Sequence, residues 1–339
     1  MLDTIIILTA IIAAFIITWL SGYLLIPYFK KMKYGQTILD IGPKWHKEKK
    51  QGTPTMGGIM FILGITMSFF GTIAILYWGK DGLNNDIAKA QSVKAVSVLL
   101  FALFNGAMGF FDDYLKIKKK QNEGLTVIQK LLLQVMLVSA FFTANIIAGD
   151  NSTSIKIPFY GDLELGFFYY ILVGIAMIYI INAVNLTDGI DGLCSSVTFV
   201  YALVFMVILS SVKMDELTIL TASLCGGMLG FLVWNFNPAK IFMGDTGSLF
   251  LGGLVTAIGV GSGMEIIMII AAAVYIWEAL TVMIQVVYFK ATKGKRLFLM
   301  TPIHHSFEKR GFSETSIVLL FCFIGIVFGV VAIALQRLM

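Results

Sequence analysis

TIIILTAIIAAFIITWLSGYLLIPYF, Thr4 to Phe29, runs for 26 residues without a charged side chain. A helix needs about 20 apolar residues to cross the hydrocarbon core of a bilayer, so this stretch is long enough to span one. It is too long for the apolar core of a secretory signal and no basic region precedes it, so it reads as a retained helix. In lipid every backbone N–H and C=O must be paired internally, which leaves helices or closed barrels. A run this long and this continuously apolar is not a barrel strand.

Nine further segments read the same way, near 57–78, 95–111, 128–148, 166–184, 193–211, 217–235, 247–263, 266–289 and 315–336. The third and eighth of the ten are short, and the ninth contains Glu278. The composition agrees, with 58% hydrophobic and 13% charged residues, where a soluble domain carries about 25% charged residues. The expectation is an all-α polytopic membrane protein: a bundle of ten transmembrane helices acting as a single catalytic domain over 1–339. No internal repeat and no segment able to fold as a soluble domain stands out. Cys194, Cys225 and Cys322 lie in apolar stretches without motif spacing, which excludes a disulfide framework or a zinc site.

Lys and Arg then orient the bundle. Connections alternate between two sides. Those near 29–56, 112–130, 185–192, 236–246 and 290–314 carry 19 basic residues and the other side carries 6. The first side is expected to be cytoplasmic, with both termini on the outer side. All three histidines, His46, His304 and His305, fall in loops on the basic side.

That side also holds the chemistry. FDDYLK, Phe111–Lys116, ends the third helix with two adjacent acids. Helical neighbours point about 100° apart, so Asp112 and Asp113 cannot both face one ion squarely. One is expected to bind or take a proton while the other orients a neighbour. Carboxylates at a helix C-terminus also oppose its dipole, which argues against a merely solvated end. NAVNLTDGIDGL, Asn182–Leu193, places Asp188 and Asp191 three apart, each followed by a glycine, and hard oxygen ligands of this kind suit Mg²⁺ with substrate phosphates. NFNPAKIFMGDTGS, Asn235–Ser248, sets Asp245 before a Thr-Gly-Ser turn, with Phe242 able to stack on a base or to pack in the core. No Walker A pattern occurs anywhere. TPIHHSFEKRG, Thr301–Gly311, puts two histidines beside basic residues, and GPKWHKEKKQGTPTMGG, Gly42–Gly58, precedes a Gly-rich helix entry. Several lysines of that last loop answer to topology and anionic lipid. Together the loops near 42–58, 111–130, 182–193, 235–248 and 290–311 read as a Mg²⁺-dependent phosphoryl-transfer site at a membrane surface, one of whose substrates is a membrane lipid.

These strings, in this order from about Gly42 to Gly311, resemble the polyprenyl-phosphate N-acetylhexosamine-1-phosphate transferases, and within them the muramoyl-pentapeptide branch. The resemblance implies transfer of phospho-MurNAc-pentapeptide from UDP-MurNAc-pentapeptide to undecaprenyl phosphate, with UMP released and Mg²⁺ required. It implies that Asp245 is the metal ligand and Asp112 the base, with Asp113 beside it. It places Asp188 and Asp191 at the nucleotide, with Asn182 and Asn185 close by, and stacks Phe242 on uracil. Lys50, Thr55, Lys116, Lys130, Asn235, Gln285 and His305 would bind phosphate or sugar, with His304 in the same loop. Nucleic acid is not expected as a partner, and a homodimer with its seam in the outer half is kept open.

Two departures stand out. The family's three consecutive histidines end here in Ser306, and the stretch between His46 and Gly52, with Trp45 just before it, is one residue longer than usual, which leaves Lys49 and Lys50 as alternatives at one position. A one-step displacement is favoured over a covalent aspartyl intermediate, because an ionised lipid phosphate is already a nucleophile. Two rival readings are a sister transferase using UDP-GlcNAc and, from another class, a polytopic transporter built on broken helices with Glu278 inside the membrane.

Overall fold

The computed structural model describes residues 4–31, 50, 52–77, 86–119 and 124–339. The basic stretch with Trp45, His46 and Lys49 lies outside them. The elements in chain order are α1 (Thr4–Lys31), α2 (Gly58–Tyr77), α3 (Asp86–Lys119), α4 (Val127–Ile147), β1 (Ser154–Ile157), β2 (Gly161–Glu164), α5 (Phe167–Thr187), α6 (Leu193–Ser211), α7 (Asp215–Asn235), α8 (Gly244–Gly261), α9 (Glu265–Ala271), α10 (Ala273–Ala291), α11 (Ile303–Lys309) and α12 (Glu314–Gln336). Among the described residues, nine of these helices are long and apolar enough to cross a membrane: α1 to α7, α10 and α12. The chain is an all-α polytopic membrane protein, as expected.

The short eighth segment forms α8, and its brevity has a structural reason. Every residue from Thr246 to Gly261 is buried, so α8 is solvated by protein rather than lipid. It packs on α2, α3 and α5. Apolar side chains gain little from leaving lipid, so helices associate in membranes through close backbone approach at small residues. A Cβ on Gly58 would stand 2.3 Å from the Gly247 Cα, and one on Gly109 would stand 2.1 Å from the Asp245 carbonyl oxygen. The second contact lays the last turns of α3 directly on the first turn of α8.

Three features differ from the sequence expectation. The third segment, expected over 95–111, is a 34-residue helix. At 1.5 Å per residue it reaches about 50 Å, well beyond the roughly 30 Å hydrocarbon core, which carries Asp112 and Lys116 past the apolar zone. The ninth, expected as one span over 266–289, is broken at Ala272 into α9 and α10. A two-stranded antiparallel hairpin, β1–β2, with Ser154 opposite Glu164, stands between α4 and α5. Its strands are four residues each, shorter than the usual five or six, and leave little period-2 signal.

Candidate active site

Three helix ends meet at one end of the bundle: the C-terminal turns of α3 and α5 and the N-terminal turn of α8. The first turn of α4 closes over them. It opens with a capping box in which the Thr126 hydroxyl accepts from the Gln129 N–H at 3.2 Å and the Gln129 Oε1 accepts from the Thr126 N–H at 2.9 Å. This turn aims the Leu125 N–H at Asp112 Oδ1, 2.7 Å away. A Cβ on Gly124 would stand 2.4 Å from that same oxygen, so only glycine lets the chain pass there.

Asp112 is fully buried, whereas the Asp245 side chain keeps 18% of its surface exposed. Two carboxylates this close repel, and two lysines offset the repulsion. Lys116 Nζ lies 2.6 Å from Asp112 Oδ2 and 2.9 Å from Asp245 Oδ2. Lys130 Nζ lies 3.0 Å and 2.9 Å from the same two oxygens. Asn185 completes the frame, donating to Asp245 Oδ1 at 3.0 Å and to Ser248 Oγ at 2.7 Å. The result is a near-neutral square of two acids and two bases, held from four helices.

Asp113 does something else. Its carboxylate accepts from the backbone N–H groups of Asp245 (3.2 Å) and Thr246 (2.9 Å) and from the Thr246 hydroxyl (2.7 Å). It caps α8 from another helix, satisfying donors that a helix N-terminus otherwise leaves unpaired. The 100° between neighbours separates the two roles, with Asp112 turned to the lysines and Asp113 to the backbone that carries Asp245.

One oxygen from each of Asp112, Asp113 and Asp245 lies within 4.8 Å of the others. This donor set is all hard oxygen, and Mg²⁺ commonly uses one or two carboxylates with substrate phosphates and water. The residues therefore fit a magnesium ion. Each of the three already has three contacts; Asp245 is the most exposed of them, so an ion would meet Asp245 first, in exchange for lysine contacts.

A rim surrounds the square. Asp188 stands just past α5 and its carboxylate has no hydrogen-bond or ion-pair partner among the described residues. Desolvation, and then the charges of Asp245, Asp113 and Asp191, push its carboxyl up to about 8 against the pull of Lys50. Asp191 is tied down: Lys50 Nζ sits 2.7 Å from its Oδ1, and its Oδ2 accepts from Asn237 Nδ2 at 3.1 Å and the Ala239 N–H at 2.9 Å. Lys50 also pairs with Glu314 Oε2 at 2.8 Å, and that oxygen takes the Asp191 N–H. Thr55 places its hydroxyl against Gly244, where a Cβ would stand 2.7 Å from it. The Phe242 ring is part-exposed and stacks on no other ring among the described residues, while its backbone clamps the 54–57 turn through bonds to Pro54 and Gly57. His304 is fully buried, with Nδ1 3.0 Å from Glu278 Oε2 and Nε2 where a Cβ on Gly189 would fall, 2.2 Å away. His305 Nδ1 pairs with Glu308 Oε2 at 2.6 Å.

Comparison with known proteins gives this arrangement a family. Residues 95–263 match the glycosyl transferase family 4 model, and residues 50–62 match signature 1 of phospho-N-acetylmuramoyl-pentapeptide-transferase. A protein of that name from Listeria welshimeri is 42% identical over 321 residues, 94% of this chain and 95% of the relative. The corresponding protein of Halalkalibacterium halodurans is 40% identical over 338 residues and that of Bacillus pumilus 39% over 337, each covering 99% of both chains. The chain belongs to the phospho-N-acetylmuramoyl-pentapeptide-transferase family.

The family signature at 50–62 contains Lys50 and Thr55, and the structure brings both to the rim. Other polar residues expected to bind substrate are engaged in holding the loops. Asn235 donates to the Ile241 carbonyl at 3.0 Å and accepts from Ser195 at 2.9 Å. Gln285 accepts from the N–H groups of Leu297 and Phe298 at 3.0 and 2.9 Å. Asn182 donates to Gln134 Oε1 at 2.9 Å. Ser306, at the position of the family's third histidine, accepts from the Met300 N–H at 3.0 Å and donates to the Met300 carbonyl. A hydroxyl there latches the 300–306 loop. Sequence reading did not single out Glu314 or Leu125, and it gave Ser248 and Glu308, which fall inside quoted strings, no role of their own. Glu314 meets partners 123 and 264 positions away and Leu125 offers only a backbone N–H, so no string marked them.

Proposed function

We propose that this chain transfers phospho-MurNAc-pentapeptide from UDP-MurNAc-pentapeptide to undecaprenyl phosphate, releasing UMP, as the first membrane step of peptidoglycan synthesis. The observation that carries the reading is the Asp112–Asp245 pair bridged by Lys116 and Lys130, at one end of a polytopic bundle whose relatives bear that transferase name over nearly their whole length. The whole chain acts as one catalytic unit. Its 19-to-6 bias of basic residues toward the loops of that end supports a cytoplasmic site.

Lys116 and Lys130 both pair with the Asp112 carboxylate and are placed to exchange part of their carboxylate contacts for phosphate oxygens. Asp112 then accepts the proton of the lipid phosphate, and the phosphate attacks the β-phosphorus of the nucleotide in a single step. Asp245, oriented by Asn185 and carried on the helix that Asp113 caps, holds Mg²⁺ with Asp112 beside it. When bound, the ion neutralises pyrophosphate charge and stabilises the leaving UMP. Asp188 and the open Phe242 ring receive the nucleoside, and Lys50, Thr55 and His305 line the approach of the sugar phosphate. The Asp191 carboxylate contributes by fixing Lys50 and the 237–239 loop.

UMP release measured with each sugar nucleotide tests the substrate. Release from UDP-MurNAc-pentapeptide and not from UDP-GlcNAc is expected, and the reverse selectivity would assign the chain to the sister branch. Incubation with nucleotide but no lipid acceptor tests the single step, which a trapped phosphorylated aspartate would rule out.

A further inference from the structure

At the end of the bundle opposite the aspartates, two hollows share the helix pair α3–α4. The first is an apolar groove of about 520 Å³. Val93, Val96, Leu100 and Phe104 line it from α3, and Leu137 and Phe141 from α4. From Ser92 to Phe104 it follows about 18 Å of helix, close to the depth of one leaflet of a roughly 30 Å core. Its inner end stops eight residues, about 12 Å, short of Asp112, so it does not open into the aspartate site.

The second hollow, about 250 Å³, sits over the outer end of the groove and sets several polar and charged side chains into a largely apolar wall. Gln91, Lys94, Asp150 and Glu216 line it. Lys94 Nζ and Asp150 Oδ2 form a 2.6 Å ion pair that is partly exposed to the hollow's solvent side. Glu216 is 1% exposed. Its Oε1 accepts from the Tyr77 hydroxyl and from Ser92 Oγ at 3.4 Å. Its Oε2 has no partner among the described residues. A buried carboxylate oxygen without a donor is costly, so the hollow favours an occupant that brings an N–H or O–H to it.

We infer that this pair of hollows binds one glycerophospholipid whose headgroup carries a primary amine. A chain of the lipid fills the α3–α4 groove. The headgroup phosphate meets Lys94, and the ammonium lies between Glu216 Oε2 and Asp150. Charge complementarity selects the headgroup: one cation beside two acids matches a phosphate followed by an ammonium. A trimethylammonium group has no N–H to give Glu216, and a glycerol headgroup offers O–H donors but no cation to offset the second acid.

The test uses the full chain in detergent, with dioleoyl phosphatidylethanolamine, phosphatidylcholine or phosphatidylglycerol added, and native mass spectrometry as readout. One phosphatidylethanolamine per chain, retained at least tenfold more strongly than phosphatidylcholine, is expected. Glu216→Leu and Lys94→Ala should each erase that preference while UMP release stays unchanged. Should Glu216→Leu fail to fold, Phe104→Trp at the exposed groove wall provides a second route. Phosphatidylethanolamine with brominated chains should quench the emission added by that indole, and brominated phosphatidylcholine at equal concentration should not. Equal retention of all three lipids, absence of selective quenching, or a lipid-free dimer that buries the groove against a second copy would each overturn the proposal.

Discussion

Asp113→Asn separates a residue that holds the site from one that reacts in it. The carboxylate accepts three hydrogen bonds, two of them from the backbone of the α8 first turn. An asparagine with its oxygen at the Oδ2 position keeps the two bonds from Thr246 without the charge and turns its NH₂ toward the Asp245 N–H, so one bond is lost, two are weakened and a donor faces a donor. Hydrogen bonds to a charged group contribute about 1.5–3 kcal/mol each, and loss of a helix N-cap alone costs about 1 kcal/mol. Allowing for non-additivity, the expected loss of stability is about 3 kcal/mol. Asp245 moves with the α8 turn, and a displacement near 1 Å in a reacting constellation costs on the order of 100-fold in rate. Chemical unfolding in detergent micelles and UMP release should therefore fall together. Thr246→Val, which removes one donor, should cost about 1.5 kcal/mol and leave most of the activity. An Asp113→Asn protein as stable as the parent but inactive would refute the reasoning, because the carboxylate would then be acting on substrate rather than on α8.

Further outcomes follow from the same geometry. Asp245→Asn should abolish UMP release while leaving the unfolding midpoint nearly unchanged, since Lys116 and Lys130 still have Asp112; chelation of Mg²⁺ should do the same to the parent protein, reversibly. Glu278→Leu strands the buried His304 ring and should cost about 3 kcal/mol in unfolding experiments, whereas Glu278→Gln keeps an acceptor and should cost clearly less. Ser306→Ala removes both bonds to Met300 and should lower stability by about 1–2 kcal/mol with a rise in KM for the nucleotide, and Ser306→Asn, which retains a donor and an acceptor, should recover part of each.

Much of this site was legible as strings. FDDYLK, NLTDGIDGL and FMGDTGS each place acids at the edge of an apolar run, and acids there are costly enough to imply use. The strings could not divide the labour among the acids. Asp112 and Asp113 are neighbours in sequence, yet one meets Lys116 and Lys130 and the other caps α8, because helical rotation sends them to different helices. Asp188 and Asp191 look equivalent on paper, but Asp191 is bound by Lys50, Asn237 and Ala239 while the Asp188 carboxylate keeps no partner among the described residues.

Sequence by itself determined that the chain lives in a membrane, that its segments are helices, and which end gathers the charges. The reason is solvent: a run of 26 uncharged residues has few alternatives in a bilayer, and charges collect where lipid ends. Only the tertiary structure decided that α8 is walled in by protein, that the segment at 266–289 breaks at Ala272, and that Lys116 and Lys130 bridge Asp112 to Asp245. Those outcomes rest on contacts such as that between Asp113 and Thr246, 133 positions apart, and such contacts arise from packing at glycines and helix ends, which leaves no periodic trace in the chain.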